Sequence, residues 1–205
     1  MAGLLGHKIG MTQIFAENGV VIPVTVVQAG PCYVTQIKTR ETDGYNATQI
    51  GFDNPKDKNV TKPKKGQFDK VNLKPLKYLH EFDFSDMTEI KVGDELKADI
   101  FKVGDVVKVS GISKGKGFQG TVKRHKFSGG PKTHGQSDRL RAPGSLGQSS
   151  YPSRVYKGLK MAGRMGGNRV TLKSVEIVKV EAENNLLFIK GAIPGSKNSL
   201  LEIVN

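Results

Sequence analysis

One segment of this chain cannot form a hydrophobic core, and that limits how the rest can fold. Residues 111–169 hold 13 of the 32 Lys and Arg and 13 of the 25 Gly, but only one acid, Asp138. The six Val, Ile and Leu residues in this stretch are too widely spaced to be buried together. The core must come from residues 1–110 and 170–205, which we predict to form one globular domain. Residues 111–169 are predicted to form an extended arm.

The net charge of the chain is concentrated in this arm. Residues 111–169 supply +12 of the formal net charge of +13, so the flanks are nearly neutral. Lys and Arg at this density attract a polyanion, and Arg adds bidentate phosphate contacts and stacking on bases. Four aromatic residues in the arm stack on unpaired bases or pack within the arm, and both interpretations stay open. They are Phe118, Phe127, Tyr151 and Tyr156.

The candidate RNA-binding residues are the basic side chains of the arm, together with one histidine. They are Lys114, Lys116, Lys123, Arg124, Lys126, Lys132, His134, Arg139, Arg141, Arg154, Lys157, Lys160, Arg164 and Arg169. The arm shows no recognition helix, which favours folded RNA over regular duplex DNA. Two alternatives remain: a nucleic-acid-processing enzyme that clamps its substrate with the arm, and a general basic binder of DNA or acidic membranes.

The arm contains one motif that resembles a cofactor loop. Residues 115–120, GKGFQG, match the G-x-G-x-x-G pattern of dinucleotide sites. Such a site needs a helix after the third Gly, whereas Gly and Pro at 129–131 interrupt any helix early. We therefore predict a Gly-rich turn whose backbone amides approach phosphates.

No cofactor, metal site or catalytic residue is predicted. His134, Ser137 and Asp138 lie within five positions of one another, which is weak support for a catalytic group. The four His residues and Cys32 lack the spacing of metal ligands. Cys32 has no partner cysteine for a disulfide within the chain, and we expect it to be buried beside a strand.

The flanks predict a mainly β fold. Alternating apolar patterns predict strands at residues 20–28, 33–38, 47–52, 103–112, 170–181, 186–193 and 200–204. Short strands separated by Gly and Pro turns are typical of a small β-barrel. Helix is scarce: residues 75–82 and 90–96 are each expected to supply a turn or two.

Residues 55–100 are predicted to be a charged, partly helical insert in this barrel. Residues 55–77 carry a net charge of +6, and residues 78–105 carry −5. Either the two stretches neutralise each other on a solvated surface, or Lys62, Lys64 and Lys65 make a secondary phosphate contact. The composition leaves both interpretations open.

The expected compartment is the cytosol. No apolar run approaches the ~18 residues that a transmembrane helix needs. The first residues, MAGLLGHKIG, lack the basic start and apolar stretch of a secretory signal. We expect no membrane as a partner, and we also expect no small-molecule substrate.

Several longer motifs resemble those of one family. They are GHKIGMTQIF at 6–15, SKGKGFQG at 113–120, THG at 133–135, PGSLGQ at 143–148 and VYKGLKMAGRMG at 155–166. Together they resemble the bacterial large-subunit ribosomal protein L three family, in register along essentially the whole chain.

The resemblance implies a structural ribosomal protein with a translation-protein-like β-barrel and an arm inside the large subunit. It implies direct binding near the 3′ end of large-subunit ribosomal RNA, a role in starting subunit assembly, and an arm tip near the peptidyl-transferase centre. Ribosomal proteins fourteen and nineteen are the neighbours that it implies. Gln148 matches a glutamine that a dedicated methyltransferase N5-methylates in some bacteria, so it is a candidate modification site.

Overall fold

The computed structural model describes residues 3–84 and 90–205, and strands dominate them. The strands are β1 (Gly3–Phe15), β2 (Val21–Ala29), β3 (Cys32–Lys38), β4 (Ala47–Phe52), β5 (Tyr78–Phe82), β6 (Glu95–Leu96), β7 (Val106–Ile112), β8 (Phe118–Gln119), β9 (Gly163–Arg164), β10 (Arg169–Glu181), β11 (Leu186–Lys190) and β12 (Leu200–Val204). The α-helices are α1 (Arg40–Asp43), α2 (Lys62–Asp69) and α3 (Thr121–His125), and 3₁₀ turns span Asp57–Asn59 and Ala98–Ile100. The prediction of a mainly β fold is confirmed.

Six strands close into a barrel in the order β1-β12-β7-β10-β11-β2, with every neighbouring pair antiparallel. Successive side chains of a strand point to opposite faces, so alternate residues fill the interior. The fully buried side chains include Val107, Val109, Leu187, Ile189, Leu201 and Ile203. These are the alternating apolar positions that predict strands in the flanks.

A second sheet, in the order β5-β4-β3-β6, shares one hydrophobic core with the barrel. The barrel and the second sheet lie close together at Gly3, because a Cβ there would clash with the ring of Phe82. A side chain at residue 3 would therefore push the second sheet away from the barrel.

The two helical turns predicted around the insert are wrong. Residues 78–82 form β5, because they pair with Thr48 to Phe52 of β4, and this pairing outweighs a weak helical preference. Residues 90–94 form a turn in which the Lys91 backbone N–H donates to the Asp94 carboxylate at 2.7 Å and Gly93 has φ +98°. β6 follows this turn. The helical part of the insert is α2, which the apolar pattern does not predict.

Strand β10 returns directly to the strand that precedes the basic segment. Arg169 of β10 is the register partner of Ile112 of β7. Residues 113–168 are thus inserted between two paired strands. By its internal contacts the chain divides into two compact units, Met1–Ser113 with Arg169–Asn205 (the barrel unit) and Lys114–Asn168 (the basic unit).

Candidate nucleic-acid interface

The basic unit has little regular structure, and a short ribbon organises it. Phe118 of β8 pairs with Arg164 of β9. The ribbon continues on one side, where the Lys116 backbone N–H donates to the Met165 carbonyl at 2.9 Å and the Met165 N–H donates to the Gly117 carbonyl at 3.0 Å. This pairing brings the start and the end of the basic unit together.

Helix α3 follows the ribbon and is tied to the other end of the unit by Arg124. The Arg124 guanidinium donates to the Met161 carbonyl at 2.8 Å, and the His125 ring nitrogen Nε2 lies 3.1 Å from the same oxygen. Gly163 allows this approach, because a Cβ there would lie 2.5 Å from the guanidinium. Arg124 therefore has a structural contact inside the unit, and it is only half-exposed.

A second turn is built on two adjacent glycines. The Gly130 N–H donates to the Leu140 carbonyl at 3.0 Å, closing a loop that carries Lys132, His134 and Arg139. Gly129 has φ +76°, and a Cβ on it would lie 2.3 Å from the same carbonyl oxygen. Both the backbone angle and the space require glycine here.

The predicted RNA-binding side chains are open to solvent. Apart from Arg124, all of the predicted basic residues and His134 are exposed. The basic unit contains twelve Lys and Arg residues and one acid. Within the described residues none of the twelve forms an ion pair with a carboxylate. The unit is therefore a concentration of uncompensated positive charge.

Arg169, the last of the predicted RNA-binding residues, lies in the barrel unit. It begins β10, and its guanidinium forms an ion pair with Glu202 of β12. The imidazole of His80 lies 3.4 Å from the other oxygen of this carboxylate. The sequence carries no local signal for this pairing, since Glu202 lies 33 residues further along the chain.

The aromatic residues of the basic unit fall into two groups. Phe118, Tyr151 and Tyr156 are exposed, and the Arg154 guanidinium lies 5.8 Å from the centre of the Tyr156 ring. Phe127 is half-buried with its ring 6.1 Å from that of His125. The three exposed rings are the ones available to stack on bases.

The glycine motif at residues 115–120 does not build a dinucleotide site. The helix after it, α3, has five residues, and β9 runs antiparallel to β8. A dinucleotide fold needs parallel strands joined by a full crossover helix. Every strand pair in the described part of the chain is antiparallel.

The residues considered for catalysis do not form a reacting group. Ser137 donates its hydroxyl proton to the Asp138 carboxylate at 2.9 Å. His134 hydrogen-bonds to neither residue in the described structure.

In residues 3–84 and 90–205, no three His, Cys, Asp or Glu side chains are grouped to hold a metal ion. No helix in the same residues is long and apolar enough to cross a membrane.

Gln148, the candidate modification site, is exposed in an irregular loop. Ser145, three residues earlier, folds the loop back by donating its hydroxyl to the Gly147 carbonyl at 2.8 Å. The Gln148 side chain is therefore accessible in the free chain.

The lysines of residues 55–77 are not neutralised by the acids of residues 78–105 in the described structure. Lys77 pairs instead with Asp53 at 3.2 Å. Glu81 accepts hydrogen bonds from Lys38 at 2.7 Å and from the Tyr45 hydroxyl at 2.8 Å, and these contacts lower the pKa of Glu81. Among the described residues, no ion pair joins residues 55–77 to residues 78–105, so no contact supports their mutual neutralisation.

Comparison with known proteins identifies the family. Residues 57–184, which include the whole basic unit, match the family described as Ribosomal protein L3. The chain is 57% identical over 207 residues to the large ribosomal subunit protein uL3 of Chloroherpeton thalassium, covering 100% of this chain and 99% of the relative.

The chain belongs to the ribosomal protein L3 family. The uL3 proteins of Natranaerobius thermophilus and Chlorobium phaeobacteroides are 56% and 54% identical, and the matches cover 98% and 100% of this chain and 95% and 99% of those relatives. The resemblance seen in the sequence motifs is thereby confirmed. Ribosomal protein L3 is a structural protein, so the prediction that the chain is not an enzyme is confirmed and the nucleic-acid-processing alternative is wrong.

Proposed function

We propose that this chain is a structural constituent of the large ribosomal subunit and binds large-subunit ribosomal RNA directly through its basic unit. One observation carries the proposal: twelve Lys and Arg residues of this unit have no carboxylate partner in the described structure, and eleven of them are exposed. So many uncompensated cations favour a polyanion as the partner. The relatives are proteins of the large ribosomal subunit, and this subunit contains such a polymer.

The form of the basic unit favours folded RNA over duplex DNA. Its helix α3 has five residues and is too short to lie along a major groove as a recognition helix. Irregular backbone with many glycines approaches a crowded ribose-phosphate surface closely, and exposed aromatic rings stack on unpaired bases. Arg139, Arg141 and Arg154 are exposed arginines that suit bidentate phosphate contacts.

The finer parts of the proposal rest on the family resemblance. The chain binds near the 3′ end of the large-subunit RNA, helps to nucleate subunit assembly, and extends residues 111–169 as an arm toward the peptidyl-transferase centre. Ribosomal proteins fourteen and nineteen lie beside it, on ribosomes of the cytoplasm. Gln148 is N5-methylated by a glutamine methyltransferase, for which its exposure in the free chain is a requirement.

The test compares two variants of equal charge change in the full chain. The arginine variant carries Arg139→Gln, Arg141→Gln and Arg154→Gln. The control variant carries Lys102→Gln, Lys108→Gln and Lys173→Gln, three exposed lysines of the barrel unit without ion pairs in the described structure. Binding to large-subunit ribosomal RNA is measured over a range of salt concentrations.

The arginine variant should bind about tenfold or more weakly, and its slope of log affinity against log salt should be shallower by about 2. The control variant should bind as the unaltered protein does. Equal affinity of the unaltered protein for random duplex DNA and for ribosomal RNA would instead support a general basic binder. The endogenous protein should sediment with the large subunit and resist washing at moderate salt.

A further inference from the structure

The connection between β4 and β5 is a long excursion with closed ends. Phe52 and Tyr78 are register partners at the ends of these two strands. Next to them, the Lys77 backbone N–H donates to the Asp53 carbonyl at 2.8 Å, so the excursion leaves and rejoins the sheet at one place. The excursion contains the 3₁₀ turn Asp57–Asn59 and helix α2, so it has regular structure of its own.

This excursion encloses a cavity of about 490 Å³, a size typical of sites for small organic ligands. Its floor is apolar, because Phe68 of α2 and Leu76 line it and both are buried. Half-buried Pro55, Val60 and Pro75 extend this apolar surface up the walls. The interior therefore suits a flat, largely apolar group.

Lysine side chains bring positive charge to the cavity lining. Lys56, Lys58 and Lys64 line it, are exposed, and have no ion pair within the described residues. Lys77 also lines the cavity, but it is held by Asp53 and lies 4.7 Å from the centre of the Tyr78 ring. Three lysine ammonium groups around an apolar interior suit a ligand that combines a flat ring with an anionic group.

A ribonucleotide has this combination of parts. Its base fits against proline and aliphatic walls, and its phosphate fits among the ammonium groups. The amides of Asn54 and Asn59 also line the cavity and offer both donors and acceptors to a base edge. A run of Asp and Glu supplies the charge, but these side chains bring no flat ring to fill the interior, so the cavity favours a nucleotide over a polyacidic segment.

We infer that this cavity binds one unpaired ribonucleotide of an RNA strand, with its base inside and its phosphate on Lys56, Lys58 and Lys64. The inference rests on the proposed ribosomal RNA binding and adds a second contact, in the barrel unit. Of the three lysines suggested by the sequence, only Lys64 lines the cavity, whereas Lys62 and Lys65 do not. The sequence does not single out Lys56 and Lys58, because only the closure of the excursion brings them beside Lys64.

The experiment uses the full chain and three variants. The cavity variant carries Lys56→Gln, Lys58→Gln and Lys64→Gln, and it is compared with the arginine variant and the control variant defined above. The replaced lysines are exposed and unpaired in the described structure, so the fold should be retained, which circular dichroism and thermal melting check. The unaltered protein is also photo-cross-linked to large-subunit ribosomal RNA containing 4-thiouridine and 6-thioguanosine.

We expect cross-linked peptides from residues 54–77 in the unaltered protein and their loss in the cavity variant. The salt slope of the cavity variant should be shallower by about 0.7, since the inferred site holds one phosphate of a single strand and each such contact contributes about 0.7. The control variant should change neither result. An unchanged slope without cross-links at residues 54–77 would overturn the inference while leaving the proposed function intact, provided that the arginine variant still loses binding.

Two further experiments identify the source of the anion. Saturable binding of free adenosine or uridine monophosphate, with no cross-link of RNA to residues 54–77, would overturn the assignment to an RNA strand. Polyglutamate that removes the cross-link as effectively as polyuridylate would overturn it in favour of an acidic protein partner. Preferential competition by polyuridylate supports the inference. If neither the unaltered protein nor any variant prefers ribosomal RNA, the proposed function fails as well.

Discussion

At the scale of single residues, burial controls the chemistry of the only cysteine. Cys32 begins β3, is completely buried, and lies with its Sγ 3.4 Å from the Leu5 carbonyl oxygen. Burial raises the pKa of its thiol from 9.0 to about 12. The sequence-based expectation of a buried cysteine beside a strand is confirmed.

We predict that Cys32 does not react with thiol reagents in the folded protein at pH 8 but reacts fully after unfolding. Because the folded pKa is raised, this thiol contributes stability that is fully present below about pH 9 and is lost as the pH rises toward about 12. The stability advantage of the unaltered protein over Cys32→Ala should therefore shrink above pH 9. Denaturant unfolding at pH 7 and pH 10 measures the difference, and an equal advantage at both values would contradict the assignment.

Substitutions at two glycines of the basic unit allow the cost of backbone strain to be measured apart from the cost of a steric clash. Gly166 (φ +71°) and Gly158 (φ +80°) both have left-handed backbones, but a Cβ at Gly166 would lie 2.1 Å from the Lys114 carbonyl oxygen, whereas Gly158 faces open space. Gly158→Ala should cost about 1–2 kcal/mol of local stability, and Gly166→Ala should cost more because the ribbon must open. Hydrogen exchange at the Lys116 and Met165 amides should accelerate only in Gly166→Ala.

At the scale of elements, Lys8 of β1 anchors the connection between β11 and β12. Lys8 is buried, and its ammonium group donates to the carbonyls of Ile193 at 2.7 Å and Gly195 at 3.2 Å. The backbone takes part as well, since the Asn198 N–H donates to the Lys8 carbonyl at 2.7 Å. The side chain thus satisfies carbonyls that the sheet leaves unpaired.

We predict that Lys8→Met lowers the free energy of unfolding by about 2–5 kcal/mol, because two carbonyls lose a charged donor. Chemical denaturation measures the loss. Lys108→Met, at an exposed position of β7, is the matched control and should stay within about 0.5 kcal/mol of the unaltered protein. An equal effect of both substitutions would contradict the anchoring role.

The elements also show where local patterns predict structure well. Strands β11 and β12 and the first half of β7 have the alternating burial that their apolar residues predict, and in β10 the alternate residues Val175 and Ile177 are buried. The local pattern wrongly predicts a helical turn at β5, because only the pairing with β4 makes this segment a strand. The residues of β1 carry a family motif but no clear strand signal, since their glycines obscure the alternation.

At the scale of the whole molecule, the register of β7 and β10 makes the basic unit removable. Ile112 and Arg169 already face each other in the ladder, so a two-residue turn can join them as a hairpin. We predict that replacing residues 113–168 with Asn-Gly leaves a folded barrel. The remaining chain should melt cooperatively with retained β-type circular dichroism.

The same deletion should remove most of the salt-dependent binding to ribosomal RNA. If about 6–10 phosphates are contacted, the affinity of the full chain should fall about 10³–10⁵-fold between 50 and 200 mM salt. The deleted chain should bind weakly and respond much less to salt. A flat salt response of the full chain would contradict phosphate contacts, and full affinity of the deleted chain would place binding in the barrel unit.

The amino-acid sequence by itself determined which residues could build a core and where the positive charge lies. Both are properties of composition and of short-range periodicity, so residues 111–169 are distinct from their flanks in the sequence alone. Only the tertiary structure decided which charges are compensated. It pairs Arg169 with Glu202 and Lys77 with Asp53, and it gathers Lys56, Lys58 and Lys64 around one cavity. An ion pair forms only between side chains that lie a few ångströms apart in space. Strand pairing, and not separation along the chain, decides which side chains come that close.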